Sequence, residues 1–518
     1  MLTARFYCSL GQRVPLPSST LAAIRNVPLR ATFFTSARRC SISAHPPPAS
    51  VEPLTIGIIG SGPAGFYTAQ HLLKNLSHAK IDIYESLPIP YGLARFGVAP
   101  DHPEVKNVIH KFASIAEDPR FRFVGNVTVG RDIPFSKLAS CYDAVVLSYG
   151  AAEDRKLGLP TEESTKNVFA ARAFVGWYNG IPEYAGLEPD LTSSDTAVIV
   201  GQGNVALDVA RTLLTPPDVL AKTDITEHAL EALRKSKIRH VHLIGRRGPL
   251  QIAFTAKELR EMIALPDTKL DVDLDLVKEQ ISADAAALAK DRQRRRLMEL
   301  LVQGATKNFE TAPSRTWSLK FMRSPAGLVQ NDRGSLAAVQ LEKNRLEGSL
   351  QNPKAVGTGE VEELPAGLLV RSIGYKSLRL FEEVPFDSKR SLVPNVKGRV
   401  DTPVPGLYVS GWLKRGPSGV IAATMYCAIE TATAIVEGLQ AGHFATRAAS
   451  RGPDGFDAVE PHLKAKGVDP VSFADWKHID RVETELGAQR GKPREKLVDV
   501  KAMMDVVAAG RANRRVLA

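Results

Sequence analysis

Two glycine-rich turns carry most of the residues in this sequence whose types and spacing could do chemistry: Gly60-Ser-Gly62-Pro-Ala-Gly65 and Gly201-Gln-Gly203-Asn204-Val-Ala206. In a turn of this kind the first glycine allows a tight reversal and the second lets backbone come close to a pyrophosphate. The third, Gly65 or its accepted substitute Ala206, lets a helix pack tightly with its N-terminus toward the anion. The residues just past the next strand decide which dinucleotide is held. After the first turn it is Glu85, twenty residues beyond Gly65, the spacing for a carboxylate that takes hydrogen bonds from an adenosine ribose. After the second turn it is Arg246-Arg247. A carboxylate there would repel a 2′-phosphate, whereas paired guanidiniums grip it through charge-assisted, often bidentate bonds. The second site is therefore read as one for NADP(H), the alternative being that the pair is a solvated basic turn.

The elements that position these turns are legible around them. Residues 54–59 are an apolar run expected to be a buried strand, followed by a helix to about Lys74 and a second strand ending at Glu85. The pattern repeats as a strand at Thr196–Val200, a helix to about Leu214 and a strand-like run from His240 to Gly245, with Thr215-Pro-Pro217 lengthening the connection. Three further short strands end in glycine, at 143–150, 367–374 and 406–411, and a helix is expected from about Ser418. The glycines of Gly416-Pro-Ser-Gly419 would bring its positive end close to a ligand, such as the N1 and O2 edge of a reduced flavin ring. The expected fold class is α/β with two Rossmann-like dinucleotide-binding domains, the first discontinuous. Residues 51–152 and 365–518 form its two pieces, and 153–364 form the inserted NADP(H) domain.

Residues 1–50 read differently from the rest. They hold six arginines, seven serines, no lysine and no acid, the composition of a mitochondrial transit peptide rather than a secretory signal, with a disordered basic tail as the alternative. The chain has 518 residues and a net charge of +11, and the six arginines of this segment supply more than half of that excess. Charge therefore gives no reason to expect a nucleic-acid partner. The four cysteines, at 8, 40, 141 and 427, include no pair at redox-motif or metal-ligand spacing. That excludes a CxxC relay, a zinc ribbon and an internal iron–sulfur cluster, and no metal site is expected.

Long stretches around both turns carry a resemblance. Gly60 to Leu73, Tyr91 to Val108, Gly201 to Arg211, Gly245 to Glu261 and Ser410 to Ile421 resemble the ferredoxin–NADP⁺ reductase family of adrenodoxin reductase type, which has a glutathione-reductase-like fold. The resemblance implies FAD contacts at Ala64, Glu85, Leu93, Val129, Trp412, Gly419, Val420 and Ile421. It implies NADP contacts at Gln202, Gly203, Asn204, Val205, Arg246, Arg247, Glu258 and Gly419. It also points to His102 and Asp208 as polar residues near the electron path, the alternatives being a capping histidine and an ordinary helix aspartate. Segments around 268–350 and the C-terminal tail depart most from the family and are expected to be surface.

The expectation for function is an FAD-dependent NADPH–ferredoxin reductase of the mitochondrial matrix, taken as a monomer, with peripheral attachment to the inner membrane left open. NADPH would pass a hydride to bound FAD. With no cysteine pair to receive electrons, they would leave singly for an external two-iron ferredoxin that feeds P450, haem or iron–sulfur pathways. The basic stretch Lys290–Arg296, with Arg294, Arg295 and Arg296, together with Arg260 and Lys257, would suit an acidic ferredoxin, a solvated helix face being the alternative. Two other readings stay open: reduction of a small molecule such as a quinone, or a redox sensor that binds both nucleotides without turnover.

Overall fold

A computed structural model describes residues 54–349, 352–442, 444 and 455–517; residues 1–50, where a transit peptide is expected, lie outside them. The chain first builds four strands, β1 (Thr55–Ile59), β2 (Lys80–Tyr84), β3 (Phe121–Val124) and β4 (Ala144–Leu147), in a parallel sheet. Ile56, Ile58, Ile81, Ile83 and Val146 are fully buried, as expected of strands covered on both faces. A short strand, β5 (Glu153–Asp154), then leads to a second parallel sheet of β6 (Val168–Ala170), β7 (Thr196–Val200), β8 (His240–Ile244), β9 (Thr268–Val272) and β10 (Arg315–Lys320). Next comes an antiparallel meander of β11 (Arg323–Gln330), β12 (Leu336–Glu347) and β13 (Lys354–Pro365). The chain then enters the second sheet once more through β14 (Leu368–Arg371), pairs β15 (Tyr375–Lys376) antiparallel with β5, and returns to the first sheet as β16 (Leu407–Val409) beside β4.

The position of β14 differs from the sequence expectation, which grouped residues 365–374 with the return to the first sheet. Leu369 pairs with both Val198 of β7 and Val168 of β6, so β14 is an interior strand of the second sheet. Its apolar, glycine-ended pattern suits either sheet, and the choice is made by the meander. Hydrogen bonds from Ala366 N to Ala337 O and from Gly367 N to Thr196 O deliver the chain alongside β7. The two passages between the sheets thus run side by side, with Tyr375 opposite Asp154 and Lys376 opposite Glu153.

Residues 268–350 also differ from expectation. Trp317 and Leu301 are fully buried and Leu270 and Met298 nearly so, so this stretch completes the second core instead of decorating it. The tail is likewise built in. Trp476, Ile479, Met503 and Val507 pack into the core under the first sheet, and Arg95 forms a buried 2.6 Å ion pair with Glu483 while lying over the Trp476 ring. Lys106 and Lys496 reach Asp224 from two sides, at 2.6 and 3.0 Å. Among the described residues no helix is long and apolar enough to cross a membrane.

Candidate functional site

Both glycine turns lie at the C-terminal ends of parallel strands, where open α/β sheets bind ligands. Gly60 has φ +105°, and a Cβ on it would stand 2.7 Å from the backbone of Ser148; Gly201, at φ +128°, would collide with the carbonyl of Ser372. These first glycines are required by their surroundings. The middle glycines are the opposite case: a Cβ on Gly62 or Gly203 would meet no protein atom within 4 Å. The backbone there faces open space at a helix N-terminus, as a pyrophosphate cradle requires. Pro63 opens the first helix (Pro63–Asn75), where no backbone N–H is needed. Asn204 opens the second, which ends at Leu214 as its sequence predicts.

Around the first turn the implied FAD residues come together. Glu85 takes hydrogen bonds from Ser61 Oγ at 2.7 Å and Ser61 N at 3.2 Å, so its carboxylate is held on the glycine turn itself. Gly92 abuts Gly62 and starts the helical turn Leu93–Phe96, and Val129 packs with Ile59 and Tyr84 at the strand ends. Gly411 faces Ala64 so closely that a Cβ would stand 2.5 Å from that of Ala64. This contact sets Trp412 beside the turn, and its ring stacks on Tyr375 at 5.6 Å. The following helix begins at Ile421, three residues later than expected, because Gly416 (φ +88°) and Gly419 (φ +80°) both take left-handed conformations; Gly419 and Val420 are left exposed ahead of it. Taken together, the open cradle at Gly62, the oriented Glu85 and the aromatic wall fit FAD.

The second turn is laced to its neighbours. Gln202 Nε2 donates to Leu243 O at 3.2 Å and lies across Gly245, while Asn204 Oδ1 accepts from Thr255 N at 2.8 Å. Val205 is half-buried against the core, and Thr255 caps the helix that carries Glu258. Arg246 is exposed and Arg247 half-buried, and among the described residues neither forms an ion pair with a carboxylate. Their main chain, by contrast, is fixed: Asn344 Nδ2 donates to Arg246 O at 3.1 Å and Met322 N to Arg247 O at 3.0 Å. The result is a rigid turn with two unengaged guanidiniums beside an open glycine cradle, which fits a 2′-phosphorylated dinucleotide.

Residues 101–102 meet the helices that carry Arg211 and Glu258 in a charge cluster that sequence reasoning saw only in part. Its centre is Arg211, 3% exposed, bonded to Asp101 at 2.6 Å, Asp208 at 2.7 Å and Glu258 at 3.1 Å, with Glu261 at 3.7 Å. His102 Nε2 lies 2.7 Å from Glu261. The two residues implied as lying near the electron path, His102 and Asp208, thus join through Glu261 and Arg211. Burial pushes the Asp208 carboxyl up to about 6, with Asp101 and Glu261 adding to the rise against the pull of Arg211. Burial and then Asp208 raise Glu258, whereas at Asp101 burial is outweighed by Arg211 and the carboxyl is held below its usual range. One guanidinium is shared among four carboxylates, and the two whose burial outweighs its pull, Asp208 and Glu258, are the ones held above their usual range. His102, Glu258 and Glu261 also bring ligand atoms within 4.8 Å of one another, but Arg211 already engages both glutamates. The missed members left one local signal, the Asp208/Arg211 spacing of three on a helix face.

Because its folded pKa is raised, Asp208 contributes stability that is present at about pH 4 and lost as pH rises through about 6. Asp208→Asn, neutral throughout, is expected to flatten the fall of the thermal midpoint between about pH 4 and 7. Equal slopes in parent and variant would show that Asp208 ionises normally.

Of the basic residues expected to dock a partner, Arg260, Arg295 and Arg296 line one surface depression together with Arg292 and Glu299. Arg294 instead turns toward Asp291 at the start of its own helix, at 3.8 Å.

The two parallel sheets, each with a glycine turn at its strand ends and with opposite charges beside them, define an α/β oxidoreductase with two Rossmann-like domains. Comparison with known proteins narrows this. No protein-family model matches the chain, but it is 53% identical over 459 residues to bovine "NADPH:adrenodoxin oxidoreductase, mitochondrial", covering 87% of this chain and 91% of that protein. It is 46% identical to the Arabidopsis thaliana protein of the same name, over 89% and 96% of the two chains. Among solved structures, Mycobacterium tuberculosis FprA in complex with NADPH superposes with a TM-score of 0.82 at 40% identity, over 88% of this chain and all of that one. The chain belongs to the NADPH:adrenodoxin oxidoreductase family.

Proposed function

We propose that this protein is an FAD-dependent reductase that takes electrons from NADPH and passes them singly to a two-iron ferredoxin in the mitochondrial matrix. The observation that carries the reading is the pair of open glycine cradles, one with Glu85 bonded onto it and the other beside Arg246 and Arg247, which pair with no carboxylate among the described residues. In this reading β1–β4, β16 and the tail hold FAD, and the second sheet, from β6 through β14, binds NADP(H). Bound FAD would supply the conversion of a hydride's electron pair into single electrons.

The chain's own residues do the rest. Gly62 and Gly203 present backbone N–H groups to the two pyrophosphates, and Glu85 accepts from the ribose of the resident nucleotide. Arg246 and Arg247 select the 2′-phosphate of the visiting one, while Gln202, Asn204 and Val205 set its position. Trp412, stacked on Tyr375, and the turn Gly419–Ile421 border the nicotinamide and flavin ends. The cluster of Asp208, Arg211, Glu261 and His102 links side chains of both domains, with the buried Asp208 carboxyl held above its usual range. Cys141 and Cys427 are buried, with their thiols on Lys137 O and Gly411 O, and the sequence has no CxxC pair, so the acceptor sought is an external protein. We take the protein to act as a monomer; peripheral attachment to the inner membrane is compatible with this reading and not required by it.

The test is NADPH-driven reduction of cytochrome c by residues 51–518, with and without a mitochondrial two-iron ferredoxin and with NADH as control. Turnover should require both NADPH and ferredoxin; rapid ferredoxin-independent turnover would favour a small-molecule reductase. Arg260→Glu, Arg295→Glu and Arg296→Glu combined should slow the ferredoxin-dependent rate about tenfold at low salt, through the encounter step, and leave NADPH–ferricyanide reduction unchanged. An unchanged ferredoxin rate would remove this depression from the docking surface.

A further inference from the structure

The turn that carries the arginine pair is gripped by the antiparallel meander. Three successive carbonyls accept hydrogen bonds from it or its first corner: Gly245 O from Arg323 N at 3.0 Å, Arg246 O from Asn344 Nδ2 at 3.1 Å, and Arg247 O from Met322 N at 3.0 Å. Two of the donors are backbone, and Met322 reaches its place by adopting φ +50° at the corner between β10 and β11. The third is a side chain, and it is the one that mutation can remove cleanly.

Asn344 is an unusual residue for its position. It lies on a half-exposed antiparallel strand yet is itself 8% exposed, between Lys343 and the exposed Arg345. A register shift in the β12–β13 pairing falls between Glu342 and Asn344, and such bulges re-aim a side chain. The re-aimed amide satisfies both of its N–H groups, on Arg246 O and on Ser324 Oγ at 2.8 Å, and its backbone N donates to Met322 O at 2.8 Å. The amide therefore ties the corner, the bulge and the arginine turn into one rigid piece, while the two guanidiniums meet no carboxylate among the described residues.

We infer that Asn344 is a positioning residue for coenzyme choice: by fixing the Arg246 carbonyl it pre-aims the arginine pair at a 2′-phosphate, and so sets the preference for NADP(H) over NAD(H). The inference rests on the NADP(H) reading of the second site. Bidentate phosphate recognition depends on guanidinium orientation, whereas contacts to adenine and pyrophosphate come from the glycine turn and do not pass through Asn344.

The test is calorimetric titration of the flavin-loaded enzyme with 2′,5′-ADP and with 5′-AMP. Asn344→Ala removes two neutral hydrogen bonds, one of them the tie to the Arg246 carbonyl, and is expected to weaken 2′,5′-ADP about five- to tenfold while moving 5′-AMP less than about twofold. In turnover, KM for NADPH should rise with kcat unchanged. Asn344→Thr, a better strand former that keeps a hydroxyl near Ser324 but is too short to reach the carbonyl, carries the same test should the alanine variant lose its flavin. An unchanged ratio of the two affinities, or an equal loss for both ligands, would overturn the inference. A parent enzyme that binds 2′,5′-ADP no better than 5′-AMP would instead sink the NADP(H) reading itself, and this inference with it.

Discussion

Arg246→Ala combined with Arg247→Ala is expected to raise KM for NADPH by about a hundredfold or more while leaving NADH-driven ferricyanide reduction within about twofold. Each charge-assisted hydrogen bond lost contributes about 1.5–3 kcal/mol, and each 1.4 kcal/mol is a factor of ten. The loss falls on the ligand because, among the described residues, neither guanidinium has an intramolecular carboxylate to release. Folding should be unaffected, since the turn is held through its carbonyls by Met322 and Asn344. Steady-state KM values for both coenzymes decide the matter. If they move together, the pair is a solvated turn and coenzyme choice lies elsewhere.

The largest effect on stability is expected at Arg211. Arg211→Met leaves Asp101, Asp208, Glu258 and Glu261 facing one another without their common cation. Breaking a buried pair from one side typically costs about 3–5 kcal/mol. The carboxyls fix the sign of the pH dependence. Removing the guanidinium raises their folded pKa values further, above the value of about 6 that Asp208 has beside Arg211, so the variant suffers most at high pH and recovers as pH falls and Asp208 takes up its proton. Thermal release of the flavin at pH 5.5 and pH 8 is the measurement. A loss of equal size at both would mean that the arginine acts through packing alone.

The parts of this molecule that could be read from sequence are those whose cause is local. Strand, glycine turn and helix succeed one another within about twenty residues, so Gly60, Gly62, Gly65 and Glu85 fall into place by spacing alone. The helix ending at Leu214 was equally plain, because Pro216 and Pro217 cannot continue it. Partner choice over long separations was not legible. β14 has the same apolar pattern as the strands of either sheet, and its place depends on where the meander sets the chain down. Arg211 looked like an ordinary helix residue because Asp101 lies 110 positions before it and Glu258 47 after it. Asn344 gave no signal, since its meaning comes from a bulge and from Arg246, 98 residues away.

The side-by-side passage of β5 and β15 has a consequence for how the chain is made. The second sheet is contiguous, from β6 to β14, and its last strand is complete by Arg371. The first sheet begins earlier but cannot close until β16 arrives to cover the free edge of β4. A chain emerging from its N-terminus therefore assembles its later sheet first, while β4 waits with unpaired backbone groups, the state in which strands are prone to wrong partners. Once both are built, paired antiparallel strands lie only about 5 Å apart, so the whole second sheet hangs from two adjacent points on the first. In modular terms it is a cassette, one that a short turn joining β5 to β15 could replace without breaking a strand of its host.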